Sequence, residues 1–242
     1  MEFGIETWID RLRDARRVTV LTGAGISAES GVPTFRGEGG LWRTYRAEEL
    51  ATPEAFARDP GLVWEWYDYR RGIVAGAEPN AGHRALVELE ARVPSFLLIT
   101  QNVDNLHQRA GSRAVCELHG NLFRSRCTAE GTTRDDLPNP LVEIPPVCTC
   151  GALLRPDVVW FGESLPVEAL TTAGREAYRS DVMFVVGTSA VVYPAAALPE
   201  RAAAGGAFVV EVNVTRTPIS SVVDVTIPGS AAAVLPAVLD AL

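Results

Sequence analysis

The stretch from Val18 to Gly37, VTVLTGAGISAESGVPTFRG, constrains the fold more than any other part of the chain. Val18 to Leu21 is a short run rich in β-branched residues, the pattern of a buried strand. Gly23 and Gly25 flank Ala24 directly after it, where the backbone must turn sharply. Ile26 to Ser30 then carries helix formers, with Ser27 available as an N-cap. Strand, glycine turn and helix in that order predict a phosphate cradle, with backbone N–H groups and the positive end of a helix facing an anion. The third glycine of the usual dinucleotide fingerprint does not arrive on schedule, so an ordinary tight turn is the alternative. The loop from Gly31 to Gly37 sets a hydroxyl, an aromatic ring and a cation (Thr34, Phe35 and Arg36) beside that turn.

With 242 residues and 47 % hydrophobic content, the chain can bury one sizeable core and carry a small inserted lobe. A formal net charge of −8 opposes a broad nucleic-acid surface, which needs clustered cations. No apolar run reaches the roughly 18 residues of a membrane span. The opening MEFGIETWIDRLRDARR reads as an amphipathic helix rather than a signal peptide. The expectation is a cytoplasmic protein with neither membrane nor nucleic acid as partner.

All 22 Lys+Arg positions are arginine. An Arg-, Ala- and Val-rich coding bias accounts for this, and it also leaves no side-chain amine to acylate. Mass spectrometry after exposure to an acyl-CoA is expected to find acylation at the N-terminal amine alone; an internally acylated peptide would contradict it. Of the four cysteines, Cys127, Cys148 and Cys150 fall in one region, which points to metal ligation in a reducing compartment rather than to disulfides.

Ile5, Trp8, Ile9 and Leu12 recur at helical spacing, predicting a helix over 5–16. The stretch from Leu41 to about Ala91 reads as helical, with Thr52-Pro53 and Asp59-Pro60 each an N-cap followed by proline at the first helical position. Further buried strands are predicted at 96–100, 115–118, 182–186, 208–212 and 222–227, and a closing helix at 231–242. Residues 123–155, with Pro138, Pro140, Pro145 and Pro146, read as irregular and hold the cysteine cluster. Strands alternating with helices predict an α/β fold, a parallel sheet with helices on both faces. Polar clusters recur directly after the strands, where open α/β sheets place their ligands.

Gln101-Asn102-Val103-Asp104 follows one predicted strand. It reads either as an N-cap with an acidic first turn or as a set of groups able to hold a carboxamide and a ribose. His119 sits where a strand meets glycine, and its pKa near neutrality suits a general base. His83 and His107 read as structural. Tyr67 and Arg70 share a face of a helix predicted over 61–75, where a guanidinium fork and a hydroxyl match a carboxylate. The alternative there is an aromatic packing stripe with Trp64, Trp66 and Tyr69. Cys127 and Glu130, with Cys148 and Cys150, give three thiolates and a carboxylate, a set zinc accepts; a degenerate site without metal is the other reading. Cys116 reads as a core thiol.

Taken together, GAGIS, ESG, PTFRG, QNVD, LHG and VVWFGE closely resemble the sirtuins, the NAD-consuming protein-lysine deacylases, from about Val18 to the C-terminus. The resemblance implies a Rossmann-like large part at about 1–40, 92–122 and 156–242. It implies a small lobe, part helical and part zinc-binding, at about 41–91 and 123–155, within one catalytic domain. It implies cofactor binding by Gly23, Ala24, Gly25, Ser27, Glu29, Thr34, Phe35, Arg36, Gln101, Asn102 and Asp104, with Gly187, Thr188, Ser189, Asn213, Val214, Thr215 and Ala231 on the phosphate and adenosine side. Catalysis would fall to His119, as base toward the ribose hydroxyls, and Asn102. NAD and an acyl-lysine would yield nicotinamide, O-acyl-ADP-ribose and free lysine. Val159, Trp160, Phe161 and Gly162 resemble the edge that clamps an acylated protein substrate as an added strand. Tyr67 and Arg70 match the pair with which the desuccinylase-type class binds a distal carboxylate, Ala47 leaves room for a longer acyl chain, and Thr34 stands where many deacetylases have Asp. The usual pair of CxxC motifs is broken here, which leaves Cys127, Cys148 and Cys150 for zinc, with Glu130 or a water as the fourth ligand. Mono-ADP-ribosyl transfer, or a non-catalytic NAD or ADP-ribose sensor, are the alternatives.

Overall fold

The apolar runs at 18–22 and 182–186 become strands because helices bury them on both sides. The computed structural model describes residues 4–33, 41–42 and 45–242. A tight turn at Ile5–Thr7 leads into α1 (Ile9–Arg13). Ile5, Trp8, Ile9 and Leu12 are all buried, as their spacing requires. The helix expected over 5–16 is broken at Trp8, whose φ of −137° leaves helical geometry.

β1 (Arg17–Thr22) is followed by a 3₁₀ segment at Ala24–Ser30, then by a hairpin of β2 (Leu41–Trp42) and β3 (Tyr45–Arg46). Helices α2 (Ala47–Leu50), α3 (Pro53–Arg58), α4 (Pro60–Gly76) and α5 (Ala81–Arg92) come next. Thr52 and Asp59 cap α3 and α4, their side-chain oxygens accepting from the N–H groups of Ala55 (3.1 Å) and Leu62 (2.9 Å). After them come β4 (Ser95–Thr100), α6 (Leu106–Ala110), β5 (Val115–Glu117), β6 (Gly120–Cys127), β7 (Thr133–Arg134) and β8 (Leu154–Val158). The chain finishes with α7 (Val167–Arg179), β9 (Val182–Val186), α8 (Leu198–Ala204), β10 (Phe208–Asn213), β11 (Val225–Pro228) and α9 (Ala231–Ala241).

Six strands form a parallel sheet in the order β11-β10-β9-β1-β4-β5. Alternate residues of its central strands enter opposite layers. Val18, Val20 and Phe184 pack with α1, α5 and α9, while Leu21, Met183 and Val185 pack with α7 and α8. A third core, built from Leu50, Val63, Trp64, Tyr67, Leu122, Leu154 and Trp160, fills the small lobe. No helix among the described residues is long and apolar enough to cross a membrane.

Three expectations need correction. Leu41–Trp42 pairs antiparallel with Tyr45–Arg46 instead of forming a helix. Residues 123–155 are not wholly irregular: β6 pairs antiparallel with both β7 and β8. Its ladder is reinforced by ions rather than by apolar alternation, since Arg124 and Arg126 both reach Asp157 of β8, at 2.9 and 2.5 Å. Ala85, Leu86 and Leu89 of α5 belong to the large core, and β6 pairs with β8 from Gly120–Val158 to Cys127–Leu154. Finally, β11 starts at Val225; Val222 is exposed and ends a 3₁₀ turn at Pro218–Ser221.

Candidate active site

The carboxyl ends of β1, β4, β5, β9 and β10 converge, and the polar residues singled out from the sequence gather there. Close backbone packing comes first. A Cβ on Gly25 would lie 2.7 Å from the Cα of Gly187, and one on Gly23 would lie 2.8 Å from the Cβ of Thr188. The turn after β1 is thus pressed against the turn after β9, with the Gly23 and Gly25 N–H groups donating to the Val186 and Gly187 carbonyls at 3.0 and 2.8 Å. These two donors are therefore committed to protein.

The helix after the turn is 3₁₀, and its N-cap position is Gly23, not Ser27. Ser27 is buried and its hydroxyl donates to Asp104 Oδ2 at 2.6 Å. Asn102 Nδ2 donates to the Gly23 carbonyl (3.1 Å) and to Ser27 Oγ (3.2 Å), so the side chains of Ser27, Asn102 and Asp104 form one knot anchored on the Gly23 backbone. Gln101 Nε2 donates to Thr188 Oγ1 at 3.0 Å, and Asn213 Nδ2 donates to the Thr188 carbonyl at 2.8 Å. Thr188 thereby joins the ends of β4, β9 and β10. Ala24 lies half-buried, while Glu29, Ser189, Val214 and Thr215 are exposed. Ala231 is buried against Gly82 of α5. Thr34, Phe35 and Arg36 lie outside the described residues.

His119 Nδ1 lies 2.9 Å from the Gln101 carbonyl oxygen. A carbonyl only accepts, so Nδ1 carries the proton and Nε2 keeps its lone pair. Burial holds this imidazole below the usual histidine range, offset in part by that hydrogen bond. His119 is thus a neutral imidazole in a fixed tautomer. Asp104 responds oppositely: burial raises its pKa, while Ser27, the Leu106 N–H and the charge of Arg70 draw it down.

Tyr67 and Arg70 lie on α4 as expected. Tyr67 is fully buried, its oxygen accepting from Trp160 Nε1 at 2.9 Å, which leaves the phenolic proton to donate elsewhere. Burial pushes its pKa up to about 12 against the pull of Arg70, so it stays a neutral donor. The Arg70 guanidinium stands 4.9 Å from the Trp66 ring centroid and interacts electrostatically with both Tyr67 and Asp104. The packing reading of this helix holds for Trp64, Trp66 and Tyr67, which form an aromatic cluster, while Tyr69 is exposed. Ala47 is buried at the start of α2.

The segment read as an edge strand is divided. β8 ends at Val158, and the Val159 N–H donates to the His119 carbonyl at 2.9 Å. Trp160 turns into the small lobe against Phe56, with the Arg155 guanidinium 3.5 Å from its ring centroid. Phe161 is the exposed aromatic, and Gly162 follows in the left-handed region (φ 87°).

Two residues set aside as structural lie beneath the site. His83 Nε2 is 3.5 Å from Ser27 Oγ, His107 Nε2 is 3.0 Å from Thr22 Oγ1, and their rings are 4.9 Å apart. Burial drives them down to about 4 and about 3, so both stay neutral. The chain spacing from Ser27 to His83 gave no sign of this contact; only the tertiary fold creates it.

Cys127, Glu130, Cys148 and Cys150 offer ligand atoms all within 4.8 Å of one another. The cysteines are free, with Cys127 Sγ 3.5 Å from Cys150 Sγ, and the Glu130 N–H donates to Cys127 Sγ at 3.4 Å. Three thiols and a carboxylate so placed fit a four-coordinate zinc ion.

The Sir2 family description matches residues 23–194. An NAD-dependent protein deacylase of Aquifex aeolicus is 57% identical over 226 residues, covering 93% of this chain and 95% of its own. One from Mycobacterium tuberculosis is 50% identical, covering 93% and 98%. Among solved structures, the complex of a Sir2 homologue with NAD superposes with a TM-score of 0.93 at 47% identity, over 98% of this chain and 93% of that one. A complex of Sir2 with a p53 peptide and NAD+ gives 0.88 at 34% identity, over 98% of both chains. Matches of this length and identity mean that the chain belongs to the Sir2 family, the sirtuins.

Proposed function

We propose that this chain is an NAD-dependent protein-lysine deacylase that favours succinyl and malonyl over acetyl groups. Its relatives' activity supports the general reaction. One observation carries the fuller reading: a neutral imidazole, His119, and a guanidinium, Arg70, both border the buried knot of Asn102, Asp104 and Ser27. Gln101, Asn102 and Asp104 would hold the nicotinamide and its ribose, and the linked turns at 23–25, 187–189 and 213–215 the remainder of NAD. When bound, NAD supplies a glycosidic carbon already activated by a cationic leaving group. The protein's part is orientation and water exclusion. His119 Nε2 accepts a proton, the Tyr67–Arg70 pair holds a distal carboxylate, and the segment around Phe161 and Gly162 clamps the peptide. The cytoplasm is the proposed location, in keeping with four free cysteines.

Incubation with NAD and matched acetyl- and succinyl-lysine peptides, following nicotinamide release and free lysine, tests this. Faster turnover of the succinyl peptide is expected. Label transferred from NAD onto protein, or binding without nicotinamide release, would replace the reading with ADP-ribosyl transfer or a sensor.

Cys127, Cys148, Cys150 and Glu130 are proposed to hold zinc, which would pin the end of β6 to the 148–153 turn. Protein never exposed to chelator is expected to carry about one zinc per chain. Cobalt substitution should give thiolate charge-transfer absorption, Glu130→Ala should weaken retention, and Glu130→Cys should strengthen it. Metal-free protein of undiminished thermal stability would refute this.

A further inference from the structure

Glu211 sits on β10, two residues before Asn213, and is only 1% exposed. A buried carboxyl group is costly unless its oxygens are satisfied. The partners here are all hydroxyls: Thr217 and Ser220 donate to its two oxygens, and Thr226 donates at 3.2 Å. The Thr217 N–H in turn donates to Ser220 Oγ at 2.8 Å, and Ile219 is seated in the core. Residues 214–216 are thus a short exposed span fixed at both ends. At one end Asn213 is held by the Thr188 and Gly229 backbones; at the other Thr217 is held by Glu211.

β10 and β11 already pair through their ladder, and the Val209 N–H donates to Asp224. An apolar side chain at 211 would serve sheet stability as well or better than a buried acid. What the carboxyl adds is the fixed position of Thr217, and with it the path of the loop. We infer that Glu211 is a positioning residue for the adenosine end of NAD, acting through Thr217 and Ser220 to hold Val214–Arg216 in their binding conformation. This rests on the reading that Asn213, Val214 and Thr215 border that end of the cofactor.

The test uses Glu211→Gln, with the double variant Thr217→Val/Ser220→Ala keeping the question open should the first fail to fold. Both are expected to raise KM for NAD about fivefold or more, with kcat at saturating NAD and KM for the acyl peptide within about twofold of the parent. ADP-ribose titrated directly should weaken in parallel, and Thr217→Ser should behave as the parent. Thr215→Arg, which fills the outer face of the loop, separates the two levels of the argument. Unchanged ADP-ribose affinity in Thr215→Arg would overturn the placement of the adenosine. Weakened affinity in Thr215→Arg with unchanged affinity in folded Glu211→Gln and the double variant would overturn the role of Glu211 alone. A uniform fall in kcat, with KM for NAD unmoved, would assign Glu211 to stability only.

Discussion

Arg70→Met is expected to lower kcat/KM on a succinyl-lysine peptide by about 10- to 100-fold, while changing it on the acetyl-lysine peptide by less than about threefold. The size follows from the bond removed. Hydrogen bonds to charged groups contribute about 1.5–3 kcal/mol, and each 1.4 kcal/mol or so is tenfold. Arg70 is placed to give such bonds at a well-defined point. Its guanidinium is steered by the Trp66 ring, and Tyr67, one helical turn earlier, has its oxygen already engaged by Trp160 and its proton to spare. Methionine keeps the length and apolar stem of the side chain, so the loss falls on charge and donors. Arg70→Lys should fall between, because an ammonium restores charge without the planar fork. The neighbouring Arg71 is the control. It is buried, 3.6 Å from Asp68, and donates to the Leu137 carbonyl, so Arg71→Met should cost stability without altering the preference between acyl groups. Equal losses on both peptides for Arg70→Met would remove Arg70 from the acyl pocket.

The parts of this protein legible in the sequence are those decided by local chemistry. Val182–Val186 is five buried residues in a row because a central parallel strand is covered on both faces, and an unbroken apolar run is its direct trace. Thr52 and Asp59 before proline cap helices because capping needs only the next three residues. The misreadings share a cause, which is a distant partner that outcompetes a local rule. Ser27 has the residue type of an N-cap, yet its hydroxyl goes to Asp104, 77 positions away. β6 lacks clean alternation because Arg124 and Arg126 find their carboxylate on β8. The glycines of the first turn signal a tight turn, but not that their N–H groups meet carbonyls of the β9 end. The candidate site residues could be named from motifs; the knot that joins Asn102, Ser27 and Asp104, with His83 and His107 beneath it, is a property of the assembled sheet.

His119→Ala is expected to reduce kcat by about a hundred- to ten-thousand-fold, the usual contribution of a positioned general base, with KM for NAD nearly unchanged. The split follows from the contacts. His119 is tied to the sheet through the Gln101 carbonyl, and its free Nε2 is a proton acceptor rather than part of the Asn102–Ser27–Asp104 knot. The pH profile supplies an independent reading. The working form is the neutral imidazole, so activity is lost as pH falls through the pKa of His119. Burial depresses that pKa more than the Gln101 bond restores it, so the acid limb of kcat/KM should have its midpoint below the ordinary histidine value of about 6.5. His83 and His107 are driven down to about 4 and about 3 and are neutral near the ordinary histidine value, so neither gives a transition there. Asp104, raised by burial, could add a second acid-side transition, and Asp104→Asn distinguishes it: the limb that persists in that variant and vanishes in His119→Ala belongs to the imidazole. An acid limb centred above about 6.5, or a His119→Ala variant within tenfold of the parent, would mean that the proton is taken by another group.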